Sequence, residues 1–230
     1  MRWTDPVDGR PRRHARVWLD PATWRSALTR PLDPDRVAAL DAWIAADRAV
    51  VARRREPASG EAYDLAVALP LSAERLRIGF TVAAEAILRV APPLTLAETI
   101  PSAPVDWQAP LADLAGRASR IGTTFHVYGS LAWQAISGED CVRAGSDVDL
   151  LWTADSVAGV DRVLVLLAAW EADAALRADG ELLLRDGDAI AWRELTRPAD
   201  RVLVKHQDRV SLQPSPAHWH DRLQVSVPAA

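Results

Sequence analysis

Two aspartates separated by a single residue are the side chains in this sequence best suited to do chemistry. Asp147 and Asp149 belong to the string Asp-Val-Asp-Leu-Leu-Trp, whose apolar residues predict a buried strand over residues 147 to 152. Side chains of a strand alternate between its two faces, so both carboxylates are expected on the same face. Neighbouring like charges repel unless a cation lies between them, and Mg²⁺ commonly binds one or two protein carboxylates together with substrate phosphates. The pattern therefore indicates a Mg²⁺ site formed by Asp147 and Asp149.

A second element upstream is suited to binding phosphate. A short strand over residues 124 to 128 ends at Gly129-Ser130, and Ser130 is predicted to be the N-cap of a helix that Gly138 ends. Backbone N–H groups at the start of a helix bind phosphate oxygens readily. Gly129 and Ser130 are therefore candidate phosphate ligands. A phosphate site beside paired carboxylates indicates phosphoryl or nucleotidyl transfer.

These motifs resemble a known superfamily and, more specifically, one family. Gly-Ser followed by Asp-x-Asp in an apolar strand resembles the polymerase-β-like nucleotidyltransferases. The longer string Gly-Ser-Leu-Ala-Trp-Gln, with Arg143 and Ser-Asp-Val-Asp-Leu-Leu-Trp after it, is similar to the phosphoribosyl-dephospho-CoA transferase of malonate decarboxylase, also called its holo-acyl-carrier-protein synthase. The resemblance implies 2′-(5″-triphosphoribosyl)-3′-dephospho-CoA as substrate, a serine of the decarboxylase's acyl carrier protein as acceptor, and pyrophosphate as product. It also implies a third carboxylate ligand on a strand after the long helix, for which we prefer Glu181 over Glu194.

Several basic residues are candidate phosphate ligands, although each is also explained by a solvated surface position. Arg143, Arg193 and Lys205 lie in or after the motif region. Arg53, Arg54 and Arg55 follow a predicted strand over residues 49 to 52, and a basic strand end recurs there in the family that the chain resembles. Arginine binds phosphate through two parallel hydrogen bonds, so one or two of the three are expected to contact phosphate or the carrier protein.

Two other functions fit part of the same pattern. Another Mg²⁺-dependent nucleotidyltransferase, acting on a small molecule or a protein with ATP as donor, would use the same Gly-Ser and Asp-x-Asp elements. A non-catalytic binding module with the same fold is the other alternative. Two adjacent carboxylates argue against the binding module, because a module without a metal has no reason to keep repelling charges.

Composition narrows the class of protein further. The chain has 230 residues, of which 49% are hydrophobic, so a sizeable core is expected. No apolar run approaches the roughly 20 residues of a membrane helix, and no secretory signal is visible, so no membrane association is expected. The single cysteine, Cys141, fits a reducing cytoplasm. The net charge of −4 argues against nucleic-acid binding, which usually requires a basic excess.

The order of predicted elements indicates an α+β fold with two domains. We expect a small N-terminal α/β domain over residues 1–100, and a nucleotidyltransferase-like domain over residues 101–230 whose mixed sheet has helices on one face. The boundary is placed in a proline-rich connector over residues 91 to 110. Residues 174 to 180 are predicted to form a turn, and Asp186-Gly187 a hairpin. Helices are predicted over residues 20 to 28, 33 to 47, 111 to 121 and 156 to 170.

Overall fold

The structure, a computed structural model, describes residues 10–73, 76–197, 200–214 and 217–223. These residues form two compact units. The first contains the described residues up to 93 together with the segment 136–141, and the second contains residues 94–135 and those from 142 onward. The chain thus passes from the first unit to the second at residues 93 and 94, whereas the boundary predicted from sequence lies at residues 100 and 101.

The first unit is built on a five-stranded sheet that is antiparallel throughout, in the order β4-β3-β2-β1-β5. Its elements are β1 (Arg16–Leu19), α1 (Pro34–Ala45), β2 (Val50–Ala52), β3 (Tyr63–Ala68), β4 (Arg77–Val82) and β5 (Ile87–Ala91). The predicted helix over residues 33 to 47 is confirmed as α1, with the Asp33 side chain accepting from Arg36 N–H at 2.9 Å and Pro34 in the first turn.

The second unit carries the remaining elements and a six-stranded sheet. They are α2 (Leu96–Thr99), α3 (Val105–Arg120), β6 (His126–Tyr128), α4 (Gly129–Ser137), β7 (Val148–Trp152), α5 (Val157–Asp173), β8 (Ala178–Leu183), β9 (Ala189–Ala191), α6 (Trp192–Leu195), β10 (Arg201–Lys205), β11 (Val210–Pro214) and α7 (Ala217–His220). With helices and two sheets, the chain has the α+β fold that the sequence predicts.

The six-stranded sheet is mixed, in the order β11-β10-β9-β8-β7-β6. Strands β7 and β8 are parallel and are joined through α5, whereas the other neighbouring pairs are antiparallel. The predicted hairpin is confirmed, because β8 and β9 flank Asp186-Gly187 and pair antiparallel. The N-cap of α5 is also confirmed, since the Ser156 hydroxyl accepts from Gly159 N–H at 3.1 Å.

One face of this sheet packs against helices. Val148, Leu150 and Trp152 of β7 are fully buried and share a hydrophobic cluster with residues of α3 and α5. Because side chains alternate along a strand, the intervening residue Asp149 lies on the opposite face. Packing thereby decides which face of the sheet can carry polar chemistry.

Three predictions of local structure are wrong. In place of the helix predicted over residues 20 to 28, residues 21 to 27 form successive turns and Leu28 makes an isolated β-bridge to Val82. The supposed connector over residues 91 to 110 contains α2 and the start of α3. Three of its five prolines, Pro101, Pro104 and Pro110, occupy a 3₁₀ turn, the N-cap of α3 and a position within α3. The supposed turn over residues 174 to 180 contains the start of β8, so Glu181 lies within that strand.

A polar network fixes the end of β10. His206 Nδ1 lies 2.7 Å from Asp188 Oδ2, and His206 Nε2 lies 2.6 Å from Ser211 Oγ. Arg222 forms ion pairs with Asp188 and with Asp186 in the β8–β9 turn. These contacts join three strands and the C-terminal segment next to Lys205.

Among the described residues, the helices are too short or too polar to cross a membrane.

Candidate active site

Carboxylates from two parallel strands meet on the face of the six-stranded sheet that carries Asp149. In the register of β7 and β8, Asp149 pairs with Asp179 and Leu151 pairs with Glu181. Paired residues lie on the same face, so Asp149, Asp179 and Glu181 are on one face, with Asp147 just before β7. We call this group the acidic face. Gly180 points the other way, since a Cβ built there would lie 3.1 Å from the Trp152 ring.

Gly129 closes directly over Asp149. Its φ of 68° is in the left-handed region that favours glycine, and a Cβ built there would lie 2.6 Å from Asp149 Cγ. Glycine is therefore the residue that lets the start of α4 approach this carboxylate without displacing the Asp149 side chain. Helix α4 begins at Gly129, so Ser130 is the second residue of its first turn and not the predicted N-cap. The structure thus brings Gly129, Ser130 and the aspartates together.

The acidic face raises the pKa of one of its own members. Burial, and then the negative charges of Asp179, Asp147 and Glu181, raise the pKa of Asp149 to about 7, while Lys205 lowers it. Lys205 Nζ donates to Glu181 Oε1 at 2.6 Å, and Glu181 is 3% exposed. Among the described residues, Lys205 and Arg177, whose Nε is 3.8 Å from Asp147, are the cations that contact these four carboxylates. The remaining excess of negative charge favours an added cation.

Replacing Asp149 with asparagine should stabilise the metal-free protein at neutral pH and above. The pKa of Asp149 is raised on folding, so the folded state holds a proton that the unfolded state has lost between about pH 4 and pH 7. Wild-type stability therefore falls as pH rises through this window. The asparagine variant lacks that loss and should gain about 2 to 4 kcal/mol at pH 8. Chemical unfolding in EDTA at pH 4 and pH 8 measures the difference, and an equal difference at both values would contradict the charge assignment.

The donor set of the acidic face fits Mg²⁺ as a ligand pair. Within the described ranges, no three His, Cys, Asp or Glu side chains converge to form a complete metal site. Mg²⁺ does not require one, because it usually takes one or two carboxylates and fills its other positions with water and substrate phosphates. Asp147, which is 3.8 Å from Arg177 Nε, and Asp149 are the pair that would hold it. Glu181, predicted as the third ligand, is engaged by Lys205.

Of the other predicted residues of the second unit, Arg193 and Glu194 have hydrogen-bond partners in the structure. Arg193, on α6, donates from Nη2 to Glu171 Oε1 at 2.6 Å and to the Ala178 carbonyl oxygen at 3.1 Å. Glu194, the alternative third ligand, accepts from Leu203 N–H at 3.3 Å. Arg143 is exposed in the loop before β7. Arg193 is thus hydrogen-bonded to the start of β8, whereas Glu194 accepts a hydrogen bond from the backbone of β10.

The three adjacent arginines belong to the first unit, where Arg53 has a structural role. Arg53 Nη2 lies 2.7 Å from Glu56 Oε1 and 3.4 Å from Oδ1 of Asp64, whose side chain is 2% exposed. The hydrogen bond and charge of Arg53 also lower the pKa of Glu56. Arg55 is exposed and donates to the Gly60 carbonyl oxygen at 3.2 Å. Arg54 lies between them, partly buried. Arg53 therefore neutralises a buried carboxylate, a role that the sequence did not reveal.

Replacing Arg53 with alanine should destabilise the protein, whereas replacing Arg55 should not. Asp64 keeps hydrogen bonds from Ser59, Thr81 and the Glu56 N–H, so the loss of its cation should cost about 1 to 3 kcal/mol of unfolding free energy. The exposed Arg55 should cost less than about 0.5 kcal/mol. Chemical denaturation of the two single variants measures both, and equal stabilities would refute the structural role of Arg53.

Sequence reasoning missed Asp179. It lies in the segment over residues 174 to 180 that is predicted to be a turn, and pairing with β7 overrides the low strand propensity of Asp179-Gly180. A signal was nevertheless present, because Asp179-x-Glu181 repeats the spacing of Asp147-x-Asp149. An acidic pair with period two before a run of leucines predicts a second strand of the same site.

Comparison with known protein families covers both units. The family model described as phosphoribosyl-dephospho-CoA transferase MdcG N-terminal domain matches residues 12–93, and that of the MdcG C-terminal domain matches residues 95–216. The two matched ranges meet close to the division between the units, at residues 93 and 94. No solved structure matches the chain.

Curated relatives agree with the family models. A phosphoribosyl-dephospho-CoA transferase of Xanthomonas campestris pv. campestris is 44% identical over 211 residues, which cover 91% of this chain and 97% of the relative. Transferases of the same name from Bradyrhizobium diazoefficiens and Xanthomonas axonopodis pv. citri are 37% and 40% identical, and each alignment covers 89% of this chain and 91% and 95% of the relative, respectively. These matches identify an enzyme and set the binding-module alternative aside. The chain belongs to the phosphoribosyl-dephospho-CoA transferase family.

Proposed function

We propose that this enzyme transfers the phosphoribosyl-dephospho-CoA group from 2′-(5″-triphosphoribosyl)-3′-dephospho-CoA to a serine of the acyl carrier protein of malonate decarboxylase, and that pyrophosphate is released. The observation that carries the proposal is the close approach of Gly129 to Asp149, which places a phosphate-binding helix start beside the acidic face. The group transferred follows the name that the family and its relatives carry. The carrier-protein acceptor follows the motif resemblance.

Each element of the acidic face then has a task. The N–H groups at the start of α4 and the Ser130 hydroxyl would bind the triphosphate oxygens. Asp147 and Asp149 would hold Mg²⁺, which when bound would neutralise the charge developing on the α-phosphate and acidify the attacking hydroxyl. Asp149 must lose the proton that its raised pKa favours before it binds a cation. Lys205 balances the buried charge of Glu181 on β8. We infer that the site works as that of a polymerase-β-like nucleotidyltransferase does, so that catalysis would consist of positioning and charge stabilisation.

A reconstituted assay tests the function directly. The enzyme is incubated with Mg²⁺, the CoA-derived triphosphate and the unmodified carrier protein, and the carrier is analysed by intact-mass spectrometry while pyrophosphate is quantified. We expect a single added phosphoribosyl-dephospho-CoA group and one pyrophosphate per carrier. A carrier whose acceptor serine is replaced by alanine is the control. Modification with ATP in place of the CoA-derived triphosphate, and none with the latter, would favour the other nucleotidyltransferase.

Transfer should be a single displacement at the α-phosphorus. The only cysteine, Cys141, is buried and belongs to the segment 136–141 that groups with the first unit, and Ser130 is assigned to phosphate binding. A donor carrying a chiral α-phosphorothioate should therefore give a product of inverted configuration, because one in-line attack inverts phosphorus once. Net retention, or an enzyme that carries the group before the carrier protein is added, would instead indicate a covalent intermediate.

A further inference from the structure

A cationic cavity adjoins the acidic face in the second unit. It has a volume of about 430 Å³ and is lined by Glu171, Leu176, Arg177, Arg193 and Arg197. Three arginines and one glutamate give its lining a charge of +2, although the whole chain carries −4. Such a local reversal of sign concentrates anions at the cavity.

The arginines of this cavity are only partly used by the protein itself. Arg193 is anchored through Nη2 to Glu171, its guanidinium lies 4.4 Å from the Trp192 ring centroid, and its Nε is buried without a hydrogen-bond partner. Among the described residues, no carboxylate pairs with Arg197, and the one ion pair of the Arg177 side chain is its 3.8 Å contact with Asp147. One arginine is therefore fixed in place and two present guanidinium donors to a ligand.

The contact between Arg177 and Asp147 links this cavity to the acidic face. The Arg177 carbonyl oxygen also accepts from Val148 N–H at 2.8 Å, which places its backbone at the start of β7. An anion held by these arginines would lie beside the carboxylates to which we assign the cation. The carboxylates are suited to bind the cation of a phosphate-rich ligand, and the arginines are suited to bind its phosphate oxygens.

We propose that Arg177, Arg193 and Arg197 form a binding site for a diphosphate group. The +2 charge of the lining suits two adjacent phosphates, and arginine forks bind their oxygens in pairs. The assignment of this group to the enzyme's substrate rests on the proposed function. The substrate contains the chemistry twice, in its triphosphate chain and in the diphosphate bridge of its dephospho-CoA part, and a binding experiment separates the two sources.

Isothermal titration in EDTA tests the site without turnover. Tripolyphosphate represents the triphosphate chain and dephospho-CoA represents the diphosphate bridge, and each is titrated into the wild type and into the double variant R177A/R197A. We expect at least one of the two probes to bind the wild type and its affinity to fall at least about tenfold in the variant, because two guanidinium groups that donate charge-assisted hydrogen bonds to phosphate oxygens are removed. The probe that responds identifies the source.

The control variant is R162A/R209A, which removes the same charge from exposed positions on α5 and on the β10–β11 hairpin. It should bind both probes as the wild type does. Failure of both probes to bind the wild type, or equal binding by R177A/R197A and the wild type, would overturn the diphosphate site. Arginine-dependent binding in an enzyme that fails the carrier-protein assay would leave the site standing and refute only the proposed function.

Discussion

Replacing Asp147 or Asp149 with asparagine is expected to lower kcat for the transfer reaction at least about 100-fold, since metal coordination contributes several kcal/mol to charge stabilisation in the transition state. Asparagine keeps the shape of the side chain and removes its charge, so the fold should be retained. For Asp149 the variant should even be more stable at pH 8, because burial and then its acidic neighbours raise the pKa of this residue. Lost activity with undiminished stability is the signature of a site residue.

The matched control is Asp161→Asn, an exposed position on α5. It removes the same charge from the second unit and should leave turnover unchanged. Turnover is measured at saturating Mg²⁺, so that a weakened metal affinity alone does not account for the loss. Near-normal turnover of either Asp147→Asn or Asp149→Asn under these conditions would remove the acidic face from the mechanism.

Replacing Gly129 with alanine is expected to have a comparable effect on activity through position and not through charge. The added Cβ would displace the Asp149 carboxylate, and a misplacement of about 1 Å can cost about 100-fold in rate. The positive φ adds a backbone cost of about 1 to 2 kcal/mol. Both kcat and the free energy of unfolding should therefore fall, as measured by the transfer assay and by denaturant titration.

Replacing Gly122 with alanine separates the displacement of Asp149 from the backbone cost of a positive φ. Its φ of 72° nearly equals that of Gly129, but a Cβ built at Gly122 meets no atom within 4 Å. The free energy of unfolding of Gly122→Ala should thus fall by the same backbone cost as in Gly129→Ala, while its turnover should stay at the wild-type value. If Gly129→Ala retains full activity despite its instability, the approach of α4 to Asp149 has no catalytic role.

The local signals of the second unit predicted much of this site, because its spacing is short. Gly129-Ser130 and Asp147-x-Asp149 each lie within one turn or one strand, where side-chain direction follows from backbone geometry alone. The helix capped by Ser156 and the hairpin at Asp186-Gly187 were predicted for the same reason. Each depends on residues fewer than five positions apart.

What could not be predicted depends on residues far apart in the chain. The Asp179-x-Glu181 spacing indicates an acidic strand, but Asp179 lies beside Asp149 only through the parallel register of β7 and β8, and no local pattern encodes which strands pair. Arg53 was interpreted as a phosphate ligand, and its ion pair with Asp64 is visible only once β2 and β3 lie side by side. The prediction of a connector over residues 91 to 110 is wrong for a different reason. The capping box of Thr95 and Glu98 starts helix α2 despite the prolines around it.

The parallel register of β7 and β8 has a consequence for how this family can diverge. A shift of β8 by one residue would turn Asp179 and Glu181 into the core and bring Gly180 to the acidic face. We therefore expect the spacing within each acidic pair to stay fixed, while the loops on either side of α5 only have to close the crossover. Insertions and deletions in relatives should accumulate between residues 153 and 177 and be absent from residues 147 to 149 and 179 to 181. The positions at which relatives lack insertions and deletions would then mark the active site, independently of which amino acids are conserved there.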